Sequence, residues 1–292
     1  MSLKKEFIKI CHMVYEKGFV AATDGNLSQR INYNQALITP SGKNKGELNE
    51  DDLLVIDLDG NLIEGKGKIS TEVKMHLLAY NSRRDINAVV HAHPVYATAF
   101  AAAGRDLTDP VFPEVILTLG KVHLCEYGTP STEELILPIK KFIDKAWALL
   151  LQNHGAVTFG VSLKDAYYKM EKLEHAAKTI FIAEQLGGAK KIPPEKVKQL
   201  LSIARSTYGI HPNFELEADE NIKLPGVNDE PLYNNEVSYS QIIEDRLRAR
   251  AGNLNVNPFD VKGRNSISNE NRSNLSKSEI DEIIKEFNYK KD

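Results

Sequence analysis

The sequence predicts an α/β fold in which a sheet is layered with helices. Three observations carry this: short apolar runs alternate with helical spacings up to about residue 160, turn residues separate them, and no segment repeats. The first segment, "MSLKKEFIKICHMVYEKG", is an amphipathic helix with Leu3, Phe7, Ile10, Cys11 and Val14 inward and Gly18 at its end. "ALITPSG" reads as a strand, and "LLVIDLDGNLI" as a hairpin turning at Asp59-Gly60-Asn61. "STEVKMHLLAYNSR" has helical spacing, with Ser70 as N-cap and Val73, Leu77 and Tyr80 on one face. "INAVVHAH" is a strand that Pro94 stops before the alanine-rich helix "VYATAFAAAG". "EVILTLGKVHLCEY" predicts two strands broken at Gly120, and "STEELILPIKKFIDKA" opens with a capping box from Ser131 to Glu134. "WALLLQNHGAVTFG" gives a strand, a turn at Asn153-His154-Gly155 and another strand. A long helix follows from Ser162 to about Leu186, closed by Gly187-Gly188.

After residue 210 the character changes. Residues 211–262 are polar, acidic and turn-rich with one helical segment, "EVSYSQIIEDRLRARAG". Residues 263–274 read as a flexible linker. Residues 275–292 read as an amphipathic helix: Ser276 to Glu279 is a capping box, Leu275 staples onto Ile280, and Ile280, Ile283, Ile284 and Phe287 share a face.

Composition narrows the function classes. The chain of 292 residues is 42% apolar and carries 37 basic against 40 acidic side chains. With no long basic block, nucleic acid and acidic membrane surfaces are disfavoured as partners. No apolar run reaches the ~20 residues of a membrane span. The first helix has no signal-peptide core, and Cys11 and Cys125 are the only cysteines. A protein of the reducing cytoplasm, without disulfides, is expected.

The chemistry concentrates in "AVVHAHPVYA". On a strand, residues two apart face one side, so His91 and His93 can point at one atom. From this pair alone, a divalent-metal chelate and a hydrogen-bonded structural pair are equal readings. His154, at another strand end in "QNHGAV", could complete a facial set of three imidazoles with positions left open. Glu72, at the start of a helix, is either a partner of the helix dipole or a displaceable ligand and general base. His76, one turn on, reads as a packing or outer residue. "TDGNLSQR" (23–30), "ITPSGKNKG" (38–46) and Ser70-Thr71 offer small hydroxyls, glycines and free amides, a way to hold a phosphate without a P-loop if all three converge.

Six blocks in order, "TDGNLSQR", "ITPSG", "STEVKMHLLAY", "AVVHAHPVYAT", "CEYGTPSTEEL" and "LLLQNHGAVTFG", resemble the class II aldolase/adducin family, most of all its L-fuculose-1-phosphate aldolase type. The resemblance implies a three-layer α/β/α catalytic domain over residues 1–210 around a largely antiparallel sheet. It implies homotetramers with sites at subunit interfaces, and a site for one zinc ion per subunit, other divalent metals being alternatives. His91, His93 and His154 match the zinc ligands, and Glu72 the catalytic glutamate that also ligates zinc when no substrate is bound. Gly25, Asn26, Ser41, Gly42, Ser70 and Thr71 match the phosphate-holding positions. Tyr208 in "STYGIH" matches a tyrosine that reaches a neighbouring subunit's site. One departure is Phe112-Pro113 in "DPVFPEVILTLG", where the aldolases carry a proton-donor tyrosine; Tyr127 and Tyr208 are the candidate replacements.

The implied reaction is reversible retro-aldol cleavage of a ketose 1-phosphate to dihydroxyacetone phosphate and an aldehyde such as lactaldehyde. Within the fold the rivals are 4-epimerase, decarboxylase and dehydratase reactions on sugar phosphates. The rival outside catalysis is a metal-free, adducin-like interaction module. Residues 275–292 resemble an encapsulation peptide, which implies a shell-protein partner and a place inside a bacterial microcompartment; docking on the chain's own tetramer is the other reading.

Overall fold

The computed structural model describes residues 2–208. The segments 211–262, 263–274 and 275–292 lie outside the described residues, and so does the side chain of Tyr208. Eight strands form one sheet: β1 (Asn26–Arg30), β2 (Gln35–Ile38), β3 (Leu54–Asp57), β4 (Leu62–Glu64), β5 (Ala88–Ala92), β6 (His123–Cys125), β7 (Ala148–Leu151) and β8 (Gly155–Gly160). Their order is β4-β3-β2-β1-β5-β8-β7-β6. All neighbours are antiparallel except β6 and β7.

Alternation along the strands splits the core in two. Leu27, Val90, Ala92 and Ala156 face a layer built from α1 (Leu3–Glu16), α3 (Val95–Ala102) and α6 (Leu163–Gln185). Val89, Val157 and Phe159 face α2 (Val73–Ser82) and α5 (Glu133–Lys140). This is the expected three-layer α/β/α arrangement. Fully buried side chains such as Phe7 and Met170 each contribute about 1.5–3 kcal/mol of apolar burial.

The N-terminal helix buries Phe7, Ile8, Ile10, Cys11 and Val14, while Leu3 stays exposed at its edge. The Asp59-Gly60-Asn61 hairpin forms between β3 and β4. The long helix α6 is capped by Ser162, whose hydroxyl accepts from the Asp165 amide.

Three expectations are corrected. "PEVILT" is a helix, α4 (Pro113–Thr118), not a strand. Its Val, Ile and Thr have strand propensity, but Pro113 at the first position presets the helical φ. Ile116 is buried against Val197 and Leu201 of α7 (Pro194–Tyr208), a helix that the sequence reading did not anticipate. Thr132, not Ser131, caps α5, accepting from the Glu134 amide; Ser131 adopts φ +70° and donates to Thr71 Oγ1 at 2.6 Å. Finally, α2 buries Met75, His76, Ala79 and Tyr80, while Val73 and Leu77 are only half-buried.

Candidate active site

Three chain crossings bring the site together on the α2 side of the sheet. Asn26 of β1 pairs with His91 of β5, and His91 pairs with Val157 of β8, so their side chains share that face. His93 leaves the end of β5 just before Pro94, which breaks the strand and precedes α3. His154 is placed by the β7–β8 turn, where Asn153 takes φ +54°, a conformation that asparagine tolerates better than most residues. Gly155 lets the two strand ends close: a Cβ there would lie 2.5 Å from His93 Cδ2 and 2.6 Å from the Ala92 carbonyl oxygen.

The three imidazoles form one cluster. Their ligating atoms all lie within 4.8 Å of one another, and His93 Nε2 is 3.3 Å from His91 Nε2. His91 Nδ1–H donates to the Ala156 carbonyl at 2.9 Å, which leaves the Nε2 lone pair facing the cluster. Burial pushes the His91 imidazole down to about 3, against the pull of Glu72, and burial also lowers His93. Both rings are therefore neutral near pH 7, the form that ligates. His154 Nδ1 is buried without a hydrogen-bond partner, and Asp24 Oδ2 lies 3.7 Å from His93 Nδ1. The donor set fits a divalent ion with an open side.

Glu72 closes the cluster. Its Oε1 is 3.0 Å from His154 Nε2, and its Oε2 is 3.4 Å from His91 Nε2. Glu72, not the expected Ser70, stands at the N-cap position of α2 and makes no capping bond with its side chain, so the carboxylate is free to turn inward. Burial raises its pKa, but the hydrogen bonds from His154 and the Asn26 amide, with the surrounding imidazoles, together outweigh burial. They hold the carboxyl well below the usual carboxylate range.

The three stretches considered for an anion are linked to one another by hydrogen bonds. Thr39 exchanges hydrogen bonds with Leu27: its backbone amide donates to the Leu27 carbonyl, and its hydroxyl accepts from the Leu27 amide at 3.1 Å. Pro40 bridges Ile69, and the Ser41 amide donates to the Lys68 carbonyl at 2.8 Å, bringing Ser41 and Gly42 beside the approach to Ser70. Asn26 Nδ2 donates to Ser70 Oγ at 3.2 Å. Gly25 sits at φ +71°, and a Cβ there would lie 2.8 Å from the His91 carbonyl oxygen, so only glycine fits beside β5. Ser41, Gly42 and Thr71 are exposed around this rim, whereas Asn26 and Ser70 are buried.

Three contributors were not anticipated from sequence. Lys45, 1% exposed, donates to the Thr23 and Lys43 carbonyls at 2.8 Å each and so ties two of the stretches together. Glu174 of α6 receives the Tyr96 and Ala97 amides at the start of α3. Ser131 reaches Thr71. His76, read from sequence as a packing or outer residue, is buried and faces Asn26. Its signal was present: Glu72, His76 and Tyr80 recur every four residues, one helical stripe. Of the candidate proton donors, Tyr127 is exposed with its amide on Gln152 Oε1, and Tyr208 is the last residue of α7. Phe112 lies away from the imidazoles, lining a cavity of about 510 Å³ between α4 and α6 with Tyr168 and His175.

A three-histidine group that could hold a metal, with an adjacent carboxylate, thus sits on one face of a three-layer α/β/α fold, the arrangement of a candidate metal-dependent enzyme. The Class II Aldolase and Adducin N-terminal domain pattern matches residues 5–181, and the chain belongs to that family. An L-fuculose phosphate aldolase from Methanococcus maripaludis is 38% identical over 181 residues, covering 62% of this chain and 97% of that protein. A 3-oxo-tetronate 4-phosphate decarboxylase from Haemophilus influenzae is 32% identical over 185 residues, covering 62% and 88%. A solved L-fuculose 1-phosphate aldolase superposes with TM-score 0.64 at 34% identity, covering 68% of this chain and 93% of that one. Among the described residues, no helix is long and apolar enough to cross a membrane.

Proposed function

We propose that the protein is a class II aldolase, a carbon–carbon lyase that cleaves L-fuculose 1-phosphate or a related deoxyketose 1-phosphate to dihydroxyacetone phosphate and an aldehyde such as lactaldehyde. The observation that carries the reading is the closure of the three-imidazole cluster by Glu72, whose Oε1 lies 3.0 Å from His154 Nε2. His91, His93 and His154 would hold a divalent ion, zinc by family resemblance. That ion supplies Lewis-acid stabilisation of the negative charge that develops as the bond breaks.

The chain's own groups do the rest. Gly25, Asn26, Ser41, Gly42, Ser70 and Thr71 hold the phosphate and set the sugar's register. The C4 hydroxyl loses its proton, C3–C4 breaks, C4 becomes the aldehyde carbon, and the electron pair passes into the C3–C2–O unit. Glu72, moved aside by the arriving substrate oxygens, takes up one proton in place of the one the C4 hydroxyl releases and delivers it to C3. Tyr208 is the candidate for the proton on the aldehyde side. A phosphorylated sugar substrate suits the family, and the proposed assembly is a homotetramer with sites shared between subunits. The intact histidines and Glu72 favour aldolase chemistry over a metal-free interaction module.

Glu72→Gln tests the assignment. With metal content retained, kcat falls by about 10²–10⁴, the usual contribution of a positioned acid–base group. Full turnover in the metal-loaded variant refutes it. The helix pattern of residues 275–292 supports a further part of the proposal, docking to a microcompartment shell protein. Fused to a fluorescent protein in shell-producing cells, these residues give punctate signal; diffuse signal refutes it.

A further inference from the structure

We infer that His76 is a positioning residue for Glu72, acting through Asn26 in a buried relay that begins at Tyr80. Asn26 Nδ2 donates to Glu72 Oε2 at 2.8 Å. Asn26 Oδ1 meets His76 Nε2 at 2.5 Å, His76 Nδ1 meets Ser28 Oγ at 2.6 Å, and Ser28 Oγ meets the Tyr80 hydroxyl at 2.6 Å. Asn26, Ser28, His76 and Tyr80 are all buried.

One requirement fixes the direction of every bond. An ionised carboxylate only accepts, so the Asn26 amide nitrogen must face Glu72 and its oxygen must face His76. That oxygen needs an N–H, so His76 carries its proton on Nε2 and accepts at Nδ1. Ser28 then donates to Nδ1 and accepts from Tyr80, whose phenol is kept protonated because burial raises it. Burial also lowers the His76 imidazole, to about 4, which keeps it neutral with one donor and one acceptor. Reversing any link would set two acceptors or two donors face to face inside the protein, a costly arrangement. Both hydrogens of the Asn26 amide are thereby assigned, to Glu72 and Ser70, so the relay sets the carboxylate's orientation before substrate arrives.

This inference rests on Glu72 being both ligand and acid–base group, and its test reads that positioning without relying on turnover alone. His76→Gln keeps an amide donor toward Asn26, whereas His76→Leu keeps only bulk. Cobalt-loaded protein is titrated with a competing chelator, its visible spectrum is recorded, and kcat and KM are measured on L-fuculose 1-phosphate. In His76→Leu, Co²⁺ affinity falls by about 10- to 100-fold, the usual effect of losing a ligand's supporting partner, and kcat falls with it. The cobalt spectrum shifts, KM stays within about twofold, and His76→Gln recovers most of the loss. Equal behaviour of Gln and Leu, or wild-type affinity and spectrum in Leu, overturns the inference. If His76→Leu does not fold, Ser28→Ala carries the test: a severalfold drop in Co²⁺ affinity supports the relay and unchanged affinity refutes it. Wild-type protein that binds Co²⁺ but cleaves no ketose phosphate refutes the aldolase reading, while the Gln–Leu difference in Co²⁺ affinity still decides the relay.

Discussion

The start of α3 is held in place by a single carboxylate, and neutralising it should loosen the metal site from behind. Glu174 Oε1 and Oε2 accept from the Tyr96 and Ala97 amides at 3.0 and 2.9 Å, two of the first-turn donors that have no partner within the helix. The helix begins at Val95, two residues after His93. In Glu174→Gln one oxygen becomes an NH₂ group, so one amide loses its acceptor, costing about 1–3 kcal/mol. Loss of the charge at the positive end of the helix adds about 0.3–1 kcal/mol. The expected destabilisation is therefore about 1.3–4 kcal/mol, or roughly 3–16 °C in Tm for a domain of this size. Urea unfolding should show a lower midpoint with an unchanged slope, and Co²⁺ affinity should fall as the His93 backbone relaxes. A variant within about 0.5 kcal/mol of wild type, the range of neutral surface changes, refutes the reasoning.

Other consequences follow from the same geometry. Gly155→Ala forces a methyl into His93 and the Ala92 carbonyl, so stability should drop by about 1–3 kcal/mol and bound metal should be lost on dialysis; a stoichiometric metal content contradicts this. Burial holds the His76 imidazole at about 4, against about 6.5 when unfolded. The unfolded chain binds the extra proton between those values, so this stabilisation is complete above about pH 6.5 and is lost as pH falls toward 4. The loss from about pH 7 to about pH 5 is about 2 kcal/mol, and His76→Leu should show a pH dependence smaller by that amount in paired urea titrations. Stripping the metal with a chelator should lower Tm and abolish turnover, since an ion at ~1,000 times its Kd contributes about 4 kcal/mol; an unshifted Tm contradicts binding to the folded site alone.

Local patterns made much of this legible. The strand "AVVHAH" announced two histidines on one side, and their burial and cluster follow from the β1–β5–β8 pairing. The α6 boundaries were readable because Ser162 and Gly187-Gly188 carry cap chemistry in the sequence itself. Where sequence failed, the deciding contact was distant. The strand-like "PEVILT" becomes helix because Ile116 finds α7. The inward face of α2 was misaligned because apolar spacing favours Val73 and Leu77, whereas His76 is drawn in by Asn26 and Ser28, about 50 residues earlier. Ser131 left its expected cap for Thr71, 60 residues away. No periodicity encodes such pairings, because they arise only when separate strands and helices meet.

The central claim is tested most directly by product analysis. Metal-loaded protein is given L-fuculose 1-phosphate and, separately, a 3-oxo-tetronate 4-phosphate, and dihydroxyacetone phosphate, lactaldehyde and carbon dioxide are measured. The account predicts equimolar dihydroxyacetone phosphate and lactaldehyde from the ketose phosphate, lost on chelation and restored by added metal. Carbon dioxide from the oxo-acid phosphate, with no dihydroxyacetone phosphate from any ketose 1-phosphate, contradicts it.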